Sequence, residues 1–95
     1  MQFIWDEEKN KKNIKNHGID FETAARVFAD PYRIEKYDGK HSDDEDRYVT
    51  IGSINGTTYI VMVAFTERGN AIRMISARKA TSRERRAYYD SNEEY

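Results

Sequence analysis

Asn55-Gly56, set between two segments of alternating character, limits the fold more than any other feature of the chain. An Asn-Gly pair supplies the left-handed residues of a type I′ turn, and with alternation on both sides it marks a β-hairpin. Strands are therefore expected over 47–54 and 57–66, and a third over 71–78 after the turn "ERGN". The hairpin also implies a register: Ile54 opposite Thr57 and, further out, Arg47 opposite Ala64. With a four-residue loop at 67–70, Arg73 also falls opposite Ala64, so that Arg47 and Arg73 flank one small residue. A loop two residues shorter keeps the face and moves Arg73 opposite Thr66. Arg78 lies five positions beyond Arg73, so alternation sends it to the other face unless a bulge or the strand's end re-aims it.

The segments around the hairpin give an α+β order. "QFIW" (2–5) reads as a short strand, and Asp6 caps a helix that runs to about Asn16 and stops at His17-Gly18. Asp20 caps a second helix carrying Phe21, Ala24, Ala25 and Phe28, which Asp30-Pro31 ends. "YRIEKY" (32–37) reads as an edge strand, and Thr81 with Glu84 fits a capping box that opens a last helix near Ser82, ending before "DSNEEY". The expected architecture is a short strand and two helices packed on an antiparallel sheet of three to four strands, with a C-terminal helix. Both sheet faces are apolar and need cover. The face with Val49, Ile51, Ile60 and Met62 is expected to pack on the first two helices, and the face with Val61, Val63, Phe65, Ile72 and Met74 on the last helix or a partner protein.

Ninety-five residues make one domain, 1–95. The absence of cysteine removes disulfides, thiol nucleophiles and Cys-type zinc sites, and two histidines without an HExxH pattern make no recognisable zinc centre, so no cofactor is expected. The N-terminus lacks a signal-peptide core and no apolar run is long enough to span a membrane, which makes a cytoplasmic protein the expectation. A net charge of −1 argues against a nucleic-acid partner only on average. Residues 73–89 carry six Lys or Arg against one Glu, while 38–46 carries five acids and one Lys, so a basic patch can form on a nearly neutral chain. The acidic run reads as a solvated loop.

On the first helix Trp5, Lys9, Asn13 and His17 recur at spacing four and share one side, where a packing stripe would be apolar. Two readings stand: a marginal surface helix, with Lys9 stacked on Trp5 and His17 on the helix dipole, or a cationic edge facing a substrate.

"FIWDEEKNKKNIKNHGIDFETAARVFAD", "EDRYVTIG" and "IRMISARKATSRERRAYY" together resemble the BrnT toxin family over nearly the whole chain. The shared pattern is Trp-Asp, a Lys and Asn on the first helix, a His-Gly turn, a Val-Phe-x-Asp helix, an Arg-containing strand and Ile-Arg-x-Ile-Ser-Ala-Arg followed by Glu-Arg and Tyr. Ile19 follows His-Gly where the family has Val, a conservative change. The resemblance implies a RelE-like fold and a type II toxin, a metal-independent ribonuclease that blocks translation. It also implies neutralisation by a BrnA-type antitoxin, which supplies DNA binding so that the complex represses its own operon. The matching positions are Trp5, Lys9, Asn13, His17, Phe21, Arg47, Arg73, Arg78, Glu84 and Tyr88.

RNA cleavage without a metal requires deprotonation of the 2′-hydroxyl, stabilisation of the phosphorane's added charge and protonation of the leaving 5′-oxygen. A guanidinium stays charged and its fork matches two phosphate oxygens, which makes Arg47, Arg73 and a re-aimed Arg78 the candidate clamp. Arg47 and Arg73 lie among apolar strand residues and need a partner, either phosphate or an internal carboxylate such as Asp46 or Glu84. His17 or Glu84 would exchange protons, and Tyr88 would stack a base or protonate the leaving group. Each has a structural alternative: a helix-terminal His, a capping Glu, a core Tyr. A non-catalytic nucleic-acid-binding module and a protein-interaction domain remain the competing function classes.

Overall fold

The computed structural model describes residues 1–92. The order is β1 (Gln2–Ile4), α1 (Glu7–His17), α2 (Phe21–Ala24) running into a 3-10 turn (Ala25–Ala29), β2 (Ile34–Tyr37), a 3-10 turn (Gly39–His41), β3 (Arg47–Ser53), β4 (Ile60–Arg68), β5 (Ala71–Lys79) and α3 (Ser82–Ser91). The expected α+β plan holds, and the short first strand joins the sheet as a parallel edge, which makes five strands of it. The sheet order is β1-β5-β4-β3-β2, with β1 parallel to β5 and the other pairs antiparallel.

The expected caps form where the sequence places them. The Asp6 carboxylate accepts from the Glu8 N–H, that of Asp20 from the Thr23 N–H, and Thr81 and Glu84 exchange both bonds of a capping box. Asn55 and Gly56 both have positive φ, 52° and 72°, as a type I′ turn requires. The register nevertheless departs from the expected one by two residues, because Ser53 pairs with Ile60 and Arg47 with Thr66. Thr57 is the cause. Its hydroxyl donates to the Ile54 carbonyl and accepts from the Tyr59 N–H, while its own carbonyl accepts from the Ser53 hydroxyl, so residues 57–58 stay in the turn.

The second hairpin takes the shorter loop, with Arg68 opposite Ala71 and Thr66 opposite Arg73. Then the register slips: Phe65 pairs with Met74 but Ala64 with Ser76, leaving Ile75 over as a bulge. Without that residue Arg78 would oppose Val61; with it Arg78 opposes Met62, on the face that carries Thr66 and Arg73.

The two faces are covered in the opposite sense to the one expected. α1 and α2 seal the face of Val61, Val63, Phe65, Ile72 and Met74, with Phe21, Ala24 and Val27 packed into it, while α3 covers Ile51, Ile60, Met62 and Ala64 through Tyr88. The arginines explain the choice. A face bearing Arg47 and Arg73 cannot be sealed by two helices without stranding both charges, whereas a single helix at one end leaves them in contact with water. Close packing on the sealed face also requires Gly52, since a Cβ there would stand 2.8 Å from Val27 Cγ1.

Candidate active site

The partly covered face becomes a groove because α3 spans only its far end. Near the β4–β5 hairpin, Arg47 of β3 and Arg73 of β5 both pair with Thr66 of β4, so the two arginines stand on either side of it on one face. They share a hollow of about 290 Å3 with Lys9, Thr66, Arg68 and the loop carboxylates Asp43, Asp44 and Glu45. A second hollow, of about 600 Å3, continues along the sheet past Ala64 and Ser76 to Arg78 and Glu84. Arg47 and His41 line both hollows, so the two form one groove. At strand spacing, the four residues from Thr66 to Met62 put Arg78 about 13 Å along the groove from the Arg47–Arg73 pair.

The three arginines differ in what holds them. Arg78 is gripped at both guanidinium ends by Glu84, at 2.8 and 3.0 Å, and donates also to the Lys79 carbonyl. Arg47 and Arg73, both half-buried, make no ion pair and no guanidinium hydrogen bond among the described residues. Neither carboxylate considered as an internal partner serves them: Asp46 accepts from Tyr37 at 3.1 Å and Glu84 belongs to Arg78. Across the hollow Glu45 is held by two bonds to Arg68, at 2.8 and 3.2 Å, which keep its carboxyl below the ordinary range.

The proton-transfer candidates fare differently. Glu84 accepts from Arg78 and from the Thr81 N–H, and the Arg78 bonds, opposed by burial, hold its carboxyl below the usual carboxylate value, which makes it a weak base. Tyr88 lies in the core under α3, where burial and then its 2.6 Å bond to Asp30 push its hydroxyl far above the ordinary phenol value. Asp30 in turn accepts from the N–H groups of Tyr32 and Ser53. Burial would raise Asp30, but the Tyr88 hydroxyl and these N–H groups outweigh it and leave the carboxyl lowered. His17 is exposed at the end of α1 and lines neither hollow.

The α1 stripe is divided by the structure. Only Lys9 reaches the groove. Trp5 packs edge-on against Phe21, donates to Glu7 at 2.6 Å and borders an apolar hollow formed with Phe3 and Phe28. Asn13 is buried, and its amide donates to the Ile19 and Ala77 carbonyls at 2.9 Å while its oxygen accepts from the Ala77 N–H at 3.0 Å. β1 pairs with β5 only as far as Arg73, so Asn13 satisfies the edge of β5 beyond it as a neighbouring strand would. A polar residue in a packing position is explained by that bare strand edge.

Sequence reasoning missed His41, which it consigned to the acidic loop. The 3-10 turn Gly39–His41 carries its ring into the groove, with Nδ1 2.9 Å from an Asp38 carboxylate oxygen. It also missed Thr66, whose small size gave no signal except its place between the two arginines in the shorter-loop register. No group of three His, Asp or Glu side chains among the described residues is arranged to hold a metal ion, and no helix is long and apolar enough to cross a membrane.

A groove floored by a sheet, lined by guanidinium groups without partners and flanked by a histidine suits a polyanion on which charge develops. No curated protein matches the chain. The model of a family described as the ribonuclease toxin BrnT of type II toxin-antitoxin systems matches residues 5–84, the span that builds this groove, and the chain therefore belongs to the BrnT family of ribonuclease toxins.

Proposed function

We propose that the chain cleaves RNA in this groove without a metal ion, by in-line attack of the 2′-hydroxyl on the adjacent phosphorus. The observation that carries the reading is the pair of guanidinium groups, Arg47 and Arg73, that stand on one sheet face without a bonded partner among the described residues. Two half-buried cations bonded to none of the carboxylates that share their hollow are costly in a folded chain unless an anion completes them, and their planar forks bind the phosphorane more strongly as its charge grows. Lys9 adds a third positive charge at the same end. Arg78, already bound by Glu84, holds the strand to α3 and lines the groove further along as one half of an ion pair. His41 is the groove side chain suited to exchange protons, and Asp38 fixes its ring through Nδ1, leaving Nε2 for substrate.

In the cell this toxin meets cytoplasmic RNA, blocks translation and is neutralised by a BrnA-type antitoxin, the complex repressing its own operon through the antitoxin's DNA-binding part. That portion of the proposal rests on family membership. The test is induced expression of wild type beside Arg47→Ala and Arg73→Ala, scoring growth and RNA integrity, with purified protein assayed on RNA in the presence of EDTA. Wild type is expected to arrest growth and to cut RNA with EDTA present, and both variants to do neither. Intact RNA under wild-type expression defeats the ribonuclease reading. Cleavage abolished by EDTA defeats the metal-free mechanism alone. Rescue by co-expressing the small neighbouring reading frame tests the antitoxin part.

A further inference from the structure

Thr66 carries the one buried side-chain polar atom among the described residues that has no hydrogen-bond partner. The residue is only 3% exposed and ends the buried run Ile60–Thr66 of β4, after which Glu67 and Arg68 are exposed. An unmade hydrogen bond on a buried hydroxyl is destabilising, and a valine of the same shape would avoid it. The fold alone gives no reason for a threonine here.

The surroundings give one. The direct cross-strand neighbours of Thr66 on its own face are Arg47 and Arg73, the two guanidinium groups without partners. All three line one hollow with Lys9. Every one of these four side chains can donate, and none has an acceptor among the described residues. What would satisfy all of them at once is a single group with several acceptor oxygens and negative charge. Of the carboxylates that share the hollow, Glu45 is bonded to Arg68, and Asp43 and Asp44 make no bond to any of the four.

We infer that Thr66 is a phosphate ligand: its hydroxyl donates to one non-bridging oxygen of an RNA phosphodiester while Arg47 and Arg73 clamp the phosphate from either side. The inference rests on the reading of the groove as the RNA site and goes beyond it in fixing where a phosphate sits. Oγ1 and Cγ2 share one carbon, so a single χ1 rotation within the side chain's staggered set turns the hydroxyl toward the hollow. There it makes a charge-assisted bond of the short, strong kind. Arg78 and Glu84, four strand positions away, take no part in holding this phosphate.

The experiment compares binding of an uncleavable 2′-O-methyl RNA oligonucleotide with thermal melting. Thr66→Val is expected to bind about 10-fold more weakly, a change of about 1.4 kcal/mol, and to melt no lower than wild type, since an unpaired buried hydroxyl has been removed. Thr66→Ser keeps the donor and is expected to bind within about threefold of wild type. Should the valine variant not fold, Thr66→Ala is held to the same 10-fold criterion. Wild-type affinity in the folded valine or alanine variant, or an equal loss in the serine variant, overturns the assignment. Arg47→Ala and Arg73→Ala separate the two levels. If they weaken binding and Thr66→Val does not, only the Thr66 ligand fails; if they bind as wild type does, the groove reading itself fails.

Discussion

Arg73 and Arg78 stand on the same strand and, because of one bulged residue, on the same face, yet the two ends of that face treat them in opposite ways. Where α3 packs, Arg78 finds a carboxylate that the helix's own capping box delivers. Beyond the helix, Arg73 and its cross-sheet counterpart Arg47 bond to none among the described residues. A charge with an internal partner is accounted for by the fold. A half-buried charge without one points outward, to whatever the groove binds.

That contrast is broken most directly at the unpaired end. Arg73→Ala is expected to lower RNA cleavage by about 10²–10³-fold, the usual loss when one group aimed at developing charge is removed, while leaving urea unfolding unchanged. A parallel loss of stability would show Arg73 to be a structural residue like Arg78. Next in size, His41→Gln is expected to cost about 10²-fold in cleavage at constant RNA affinity. Unaltered turnover in this variant returns His41 to the solvated loop.

Stability should respond where cleavage chemistry is absent. Asn13→Ala strips both the N–H and the C=O of Ala77 of their partner at the edge of β5, and a loss of about 2–4 kcal/mol is expected in urea unfolding. A loss near zero would mean that water replaces the amide. The smallest effect belongs to the paired end. Glu84→Gln keeps the cap but weakens the hold on Arg78, which is about a third exposed, so about 0.5–1 kcal/mol is expected at neutral pH. Because Glu84's carboxyl is lowered in the fold from its ordinary 4.5, its contribution is complete above that value and disappears as the pH falls through the lowered one. The wild-type advantage over the variant should therefore shrink on acidification below pH 4.5, and a constant gap across that range would remove the ion pair as its source.

The site was less legible in the sequence than the fold, for identifiable reasons. Caps and turns are local: Asp6, Asp20, Thr81 and Glu84 need only a helix beginning beside them, and Asn55-Gly56 needs only its own backbone. The positions of Arg47 and Arg73 followed from alternation to within two residues, and the shift, being even, kept the face. Arg78 did not follow, since Ile75 looks like any strand residue and its bulge is visible only in the pairing. His41 was hidden because the stretch 38–46 reads as a solvated acidic loop, while in space its ring lines both hollows that Arg47 lines.

By itself the sequence determined the elements, their order, the hairpin and the family, because each depends on short-range chemistry or on a pattern of residues along the chain. Only the tertiary structure decided which face the helices seal and which charges are left without partners. Those outcomes depend on burial, and the cost of burying an arginine is settled by what the rest of the chain brings beside it.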